Sequence, residues 1–496
     1  MVRGTFALPT FTVMKKLLVC AALSGMGSAG LATALELYVD PKTQQVYAEP
    51  GEGRVRLGRF TAVDEAAPAP AAVAPTAEAV RSVVAAEVRD QMAQQKLAEQ
   101  KEAASKPAPF SVRGYAQLRY ADVISGDEGV DLWTDRSVGD RDSINGSGSF
   151  LIRRGRLVFS GDLGQYFSYY IQPDFASAAG TTDNVLQLRD AYFDVALDRA
   201  KVHRFRLGQS KVPFGFENLQ SSQNRIPLDR ADALNSGVRD ERDLGVFYYY
   251  TPSTVQALFK EIAGAGLKHS GNYGMFGLGV YNGQGSNRRD ANDSYHTVAR
   301  FTYPMKLDSG QFLEFGVQGY RGRFVPNRGS FRNSATGGAV TVANPADDLR
   351  LLQGFRDERV ALSAVMYPQP FGLQAEWTWG RTPGLDASTR LLDEEDLDGG
   401  YVQAMMKVDA GRYGTIFPFL RWQTFDGFNK AELNAPRNRV DDWELGVEWQ
   451  INKQVELTAV YHLMDRNNLV TGNRAGRVDY TRFNSDVLRV QVQASF

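Results

Sequence analysis

The sequence predicts an all-β fold: a 16-stranded antiparallel transmembrane β-barrel behind an N-terminal periplasmic helical extension. Three observations carry this. First, the stretch Val487 to Phe496 alternates strictly, with Leu488, Val490, Val492, Ala494 and Phe496 on one face and Arg489, Gln491, Gln493 and Ser495 on the other. It is about as long as a tilted strand must be to cross a bilayer, with a face for lipid and a face for water. Second, such segments recur from Phe110 onward. Third, the connections between them are mostly short and long by turns, as in barrels with tight periplasmic turns and long external loops.

Composition agrees. Apolar residues make up 43% and mean hydropathy is −0.33, which argues against a helical membrane protein. A barrel needs no long apolar run, because only alternate residues face lipid. The 48 glycines suit turns and strand bends, and the 21 tyrosines suit interfacial girdles. A net charge of −1 offers no bulk attraction for nucleic acid. The single cysteine, Cys20, falls in the leader, leaving no disulfide and no cysteine metal site. His203, His269, His296 and His462 are not at metal-ligand spacing, and the acidic run Asp393–Gly399 lacks the alternating ligands of a calcium loop. No nucleophile elbow, P-loop or dinucleotide fingerprint occurs. The expectation is a protein with no cofactor and no metal that is not an enzyme.

In chain order, residues 1–34 read as a signal peptide: Lys15-Lys16, the apolar run Leu17–Leu23, then small residues to Ala34, with Met14 an alternative start. Residues 35–65 form a small hairpin-like segment, and 66–76 an Ala/Pro linker. Residues 77–106 read as a helix with Val80, Val84, Val88 and Met92 along one face, either a short coiled coil or a solvated rod. The barrel occupies 110–496. Its clearest strands hold Val112–Tyr120, Phe167–Ile171, Leu362–Met366, Phe371–Trp379, Val402–Val408, Pro418–Trp422, Trp443–Ile451 and Val455–Leu463. Further candidates near 150–161, 186–198, 203–210, 243–250, 273–282, 294–303 and 311–323 bring the total to about sixteen, an even number as single-chain bacterial barrels require. Short connections include Gly161–Gln165, Asp198–Val202, Asp308–Gly310 and Asn452–Lys453. Long ones include Gly126–Gly148, Val325–Phe355, Arg381–Leu397, Asp426–Val440 and Asp465–Ser485; Thr251–Asn272 is long where a periplasmic turn is expected.

Five blocks stand out: Arg153-Arg-Gly-Arg-Leu157, Leu188-Arg-Asp-Ala-Tyr192, Gly208-Gln-Ser-Lys-Val-Pro-Phe-Gly215, Arg242-Asp-Leu-Gly-Val246 and Val280-Tyr-Asn-Gly-Gln-Gly285. In order and spacing they resemble the phosphate-selective porin O/P family over roughly 110–496. The resemblance implies a homotrimer and a loop folded into the pore after the fifth barrel strand, here about Pro213–Arg239. Residue chemistry fits, since Pro213, Gly215 and Pro227 interrupt any strand there.

Polar-face parity selects the pore-lining and anion-binding candidates: Arg113, Arg119, Arg154, Arg156, Arg204 and Arg206 on the first strands, with Lys211, Arg225, Arg230, Arg239 and Arg242 on or beside the loop. A guanidinium in a narrow passage attracts anions and replaces part of their hydration. Carboxylates share these faces, among them Asp174, Asp190, Asp194, Glu314, Glu376 and Glu448, so wall ion pairs compete with ion passage for the same arginines. Two functions fit. One is an outer-membrane diffusion channel for small anions such as phosphate, chloride or organic anions. The other is a barrel anchor whose N-terminal helix tethers the outer membrane to the cell wall.

Overall fold

The computed structural model describes residues 35–41, 46–60, 110–127, 148–179, 182–329, 331–332, 339–386, 389–472 and 477–496. The expected leader, the linker and the helix over 77–106 lie outside them. The chain divides into two units. In the first, β1 (Leu35–Val39), β2 (Val46–Tyr47) and β3 (Val55–Phe60) form an antiparallel sheet of order β2-β1-β3, where Glu36 pairs with Arg56 at 2.7 Å.

The second unit is a closed antiparallel barrel of 16 strands. Its staves are β4 (Ser111–Gly126), β5 (Ser149–Leu163), β6 (Phe167–Ala179), β7 (Thr182–Ala196), β8 (His203–Lys211), β9 (Arg242–Tyr250), β10 (Phe276–Tyr281), β11 (His296–Lys306) and β12 (Phe312–Phe324), followed after a small hairpin, β13 (Phe331–Arg332) and β14 (Ala339–Val340), by β15 (Phe355–Met366), β16 (Phe371–Leu385) and β17 (Leu392–Met406). A two-residue continuation, β18 (Val408–Asp409), precedes β19 (Thr415–Phe428), β20 (Arg437–Gln450), β21 (Val455–Gly472) and β22 (Arg477–Ser495). β22 pairs with β4 to close the ring, and at the seam Gly114 and Phe496 exchange backbone hydrogen bonds of 2.9 and 3.0 Å.

Polarity is inverted relative to a soluble protein. On β20, Trp443, Leu445 and Val447 are exposed on the outer wall while Asp442, Glu444 and Glu448 are buried inside. β22 behaves likewise, with Arg489, Gln491 and Gln493 inward and Val492 and Phe496 outward. Lipid replaces the dry core that such residues seek elsewhere. Trp377, Trp422 and Trp443 line up across the outer wall with ring centroids 6.0 and 6.4 Å apart.

Tight connections gather at one end, among them 164–166, 307–311 and 451–454. At the opposite end two expected loops prove to be strand. Residues 381–385 and 392–397 pair as extensions of β16 and β17, and 465–472 and 477–485 continue β21 and β22. Period-two alternation weakens where strands leave the bilayer, because both faces then meet water, so these extensions read as loop. The long connection 251–275 contains a helix, α3 (Ser253–Gly264).

Candidate functional site

Between β8 and β9 the chain leaves the wall and enters the bore. This segment, Val212–Glu241, carries two single-turn helices, α1 (Phe216–Leu219) and α2 (Asp232–Asn235). Phe214, Ala231, Ala233, Leu234 and Val238 bury against Phe247, Tyr249, Tyr320, Tyr401 and Phe425 of the inner wall. Ile226 and Leu228 pack on Met405, Phe417, Phe419 and Val460. Apolar side chains at lumen parity, unusual in a water-filled bore, thus meet the apolar side of this segment.

Polar contacts fix it to the far wall. Glu376 accepts the Phe216 and Glu217 amides at 2.5 and 2.8 Å, as expected of a carboxylate facing unpaired N–H groups. Glu217 forms a two-pronged pair with Arg421 at 2.6 and 3.0 Å. Asp229 sits among Arg119, Arg153 and Arg489 at 2.9, 3.3 and 2.5 Å. Burial alone would raise the Asp229 pKa, but Arg119, Arg489 and Arg153 hold it well below the usual range. Arg359 donates to the Ala233 carbonyl, and Tyr320 and Lys430 donate to Gly237 O, at 2.9, 3.0 and 2.7 Å.

Four of the five sequence blocks, all but Arg153–Leu157, converge at the root of this segment. Asp243 accepts the Gly283 and Gly285 amides, both at 2.9 Å. Both glycines have φ near +90°, and a Cβ on Gly283 would lie 1.8 Å from His296 Nδ1. Gln209 accepts the Asn287 amide at 2.7 Å and donates to the Leu188 and Arg189 carbonyls at 2.9 Å. Asp190 pairs with Arg242 at 3.0 Å. These four blocks therefore build the hinge from which the segment enters the bore.

A model of the phosphate-selective porins O and P matches residues 131–496, a range that holds all of these residues. The chain belongs to the phosphate-selective porin O and P family. It is a porin of the outer-membrane type. Among solved structures, the porin is similar to the outer-membrane channel DcaP of Acinetobacter baumannii (15% identity, 78% of this chain and 97% of that one, TM-score 0.44). It is also similar to trimeric OmpT of Vibrio cholerae (11%, 79% and 100%, 0.46) and to an anion-selective porin from Comamonas acidovorans (11%, 79% and 100%, 0.41). A comparison with curated proteins finds no match.

The predicted site residues of the porin divide by partner. Arg156 holds Asp174 at 2.6 Å, Arg206 grips Asp194 at 2.7 and 2.9 Å, Arg230 holds Glu241 at 2.7 Å, and Arg242 bridges Asp190 and Glu241. With Arg119 on Asp229, these are wall and loop ion pairs. Arg154 donates to Gln117 at 2.9 Å. Arg204 donates to the Asn272 carbonyl at 2.7 Å and lies 3.5 Å from Asp194, and Arg239 lies 3.9 Å from Asp240. Arg225 donates to the Pro227 and Leu228 carbonyls, and its Nη1 is buried without a hydrogen bond. Lys211 donates to the Leu219 and Gln220 carbonyls at 3.1 and 2.5 Å. Arg113 is exposed, 5.6 Å above the Tyr170 ring.

A cavity of about 750 Å3 opens at the short-turn end beneath the inward segment. Seven lysines and arginines line it against two carboxylates, Asp190 and Glu456. Arg113, Lys211 and Lys453 are the lining cations that have no carboxylate within ion-pair distance among the described residues. Parity reasoning missed Lys453, which lies in a turn, and Lys268, which lies in the anomalously long connection. That length was itself a readable signal.

Proposed function

We propose that this porin is a water-filled diffusion channel that prefers small anions, phosphate among them. The observation that supports this is the cationic mouth, where Arg113, Lys211 and Lys453 line the cavity with no carboxylate within ion-pair distance among the described residues. Positive charge in a low-dielectric bore raises the local anion concentration and offsets lost hydration. No single cation can bind an ion so tightly that it fails to leave, and a mouth of dispersed cations meets that condition. The same reading takes the working form as a trimer, residues 1–34 as the export signal, and the segments over 35–65, 66–76 and 77–106 as a periplasmic extension. Purified protein in planar bilayers under a salt gradient tests it. The expected result is stepwise conductance with a reversal potential of the sign that favours chloride, and reduction of chloride current by added phosphate. A reversal potential favouring potassium would overturn the anion reading.

A further inference from the structure

The connection between β9 and β10 does what its length suggests no ordinary turn could. α3 leaves β9 and buries Val255, Phe259 and Ile262 against Phe216 of the inward segment and against Phe312, Val365 and Tyr367 of the wall. The chain then runs across the mouth. Lys407 donates to the Ala265 carbonyl at 2.5 Å. Lys268 reaches Glu448 on β20 at 2.6 Å and lies 3.6 Å from Glu456 on β21, with its ammonium over the Phe417 ring. β9 is the sixth stave and β20 and β21 are the fourteenth and fifteenth, so this contact spans the bore. The chain returns through Asn272, whose carbonyl accepts from Arg204 at 2.7 Å and whose side chain accepts from Thr251 at 2.9 Å.

The crossing chain is also tied to the inward segment above it. Gln220 donates to the Lys268 carbonyl at 2.8 Å and Asn224 to the His269 carbonyl at 3.2 Å. Residues 268–273 form one wall of the cationic cavity. α3 fills the β11–β15 side of the mouth, which leaves the cavity on the side of β4 and β22.

We propose that residues 265–273 form a second constriction, in series with the inward segment, and that Lys268 anchored on Glu448 and Glu456 sets its aperture and so the largest solute that passes the short-turn mouth. Lys268 is thus a specificity-determining residue for size. The proposal rests on the channel reading above. Burial of the ammonium would lower its pKa, but Glu448 and Glu456 outweigh burial and raise it above its ordinary value.

The test uses the full-length protein in planar bilayers and reads single-channel conductance and the size at which neutral polyethylene glycols stop lowering it. Lys268→Met is expected to raise conductance by about 1.5-fold or more, since a released constriction removes one of two resistances in series, and to shift the polymer cut-off to larger sizes. Wild-type conductance and cut-off in that variant would overturn the proposal while leaving the channel reading intact. No conductance in the wild-type protein would overturn both. If Lys268→Met fails to assemble, as shown by loss of heat-modifiable gel migration, the isosteric variant Glu448→Gln carries the test. It breaks the 2.6 Å anchor from the wall side and keeps the side-chain volume. A shift in the same direction supports the second constriction, and an unchanged cut-off removes it.

Discussion

At the scale of single residues, what an arginine can do depends on what it already holds. Arg206 is locked onto Asp194 and its guanidinium lies 3.7 Å from the Tyr192 ring centroid, so little of its charge is left for a passing ion. Arg206→Ala should therefore leave ion preference nearly unchanged but destabilise the barrel by about 3 kcal/mol, the low end for a broken buried pair, because Asp194 loses both hydrogen bonds and keeps only Arg204 at 3.5 Å; denaturant unfolding in lipid vesicles measures it. The double variant Arg113→Ala/Lys453→Ala should do the opposite, shifting the reversal potential toward zero with little effect on unfolding. Parity alone put Arg113 and Arg206 in the same class. Their difference lies in cross-strand register, which sets Asp194 directly opposite Arg206 and which one strand's alternation does not encode. A register shift between Gln117 and Leu118 likewise lets Arg153 and its neighbour Arg154 both face inward, where strict alternation would send one outward.

At the scale of elements, the inward segment and its root form one cooperative unit. The five sequence blocks were legible as a set, but their chemistry was not, because it depends on contacts between strands far apart in the chain. Asp243 satisfying Gly283 and Gly285 shows what two of them are for: a tight turn that must stay tight if the segment is to leave the wall at the correct place. Gly283→Ala should place a methyl into His296 and strain a left-handed backbone, costing about 4 kcal/mol or more. The expected readout is loss of the heat-resistant folded band. Residues 251–275 show the reverse case. The sequence marked that connection as too long, yet its destination across the bore depended on tertiary contacts that no local pattern carries.

At the scale of the whole molecule, alternation was enough to read the barrel. Each stave shows lipid and lumen faces in its own ten or so residues, so the wall was legible strand by strand. Loop ends were not, since strands that rise out of the bilayer lose the pattern while keeping the hydrogen bonds. The outer wall gives the matching prediction. Leu445 is 64% exposed on it, and Leu445→Arg should cost about 2–4 kcal/mol if that position lies near the bilayer midplane. Equilibrium unfolding in vesicles checks the value, and a cost near zero would place Leu445 at the interface or in contact with a neighbouring subunit.

The alternation that makes the wall also decides how such a chain can travel. A protein destined for the outer membrane must first be threaded through the inner one, where a long greasy helix would be caught and released sideways into lipid. Here polar side chains interrupt the apolar ones along the strands, and among the described residues no helix is long and apolar enough to be caught. The hydrophobic surface exists only after the strands are side by side, so it is assembled at the destination rather than carried there.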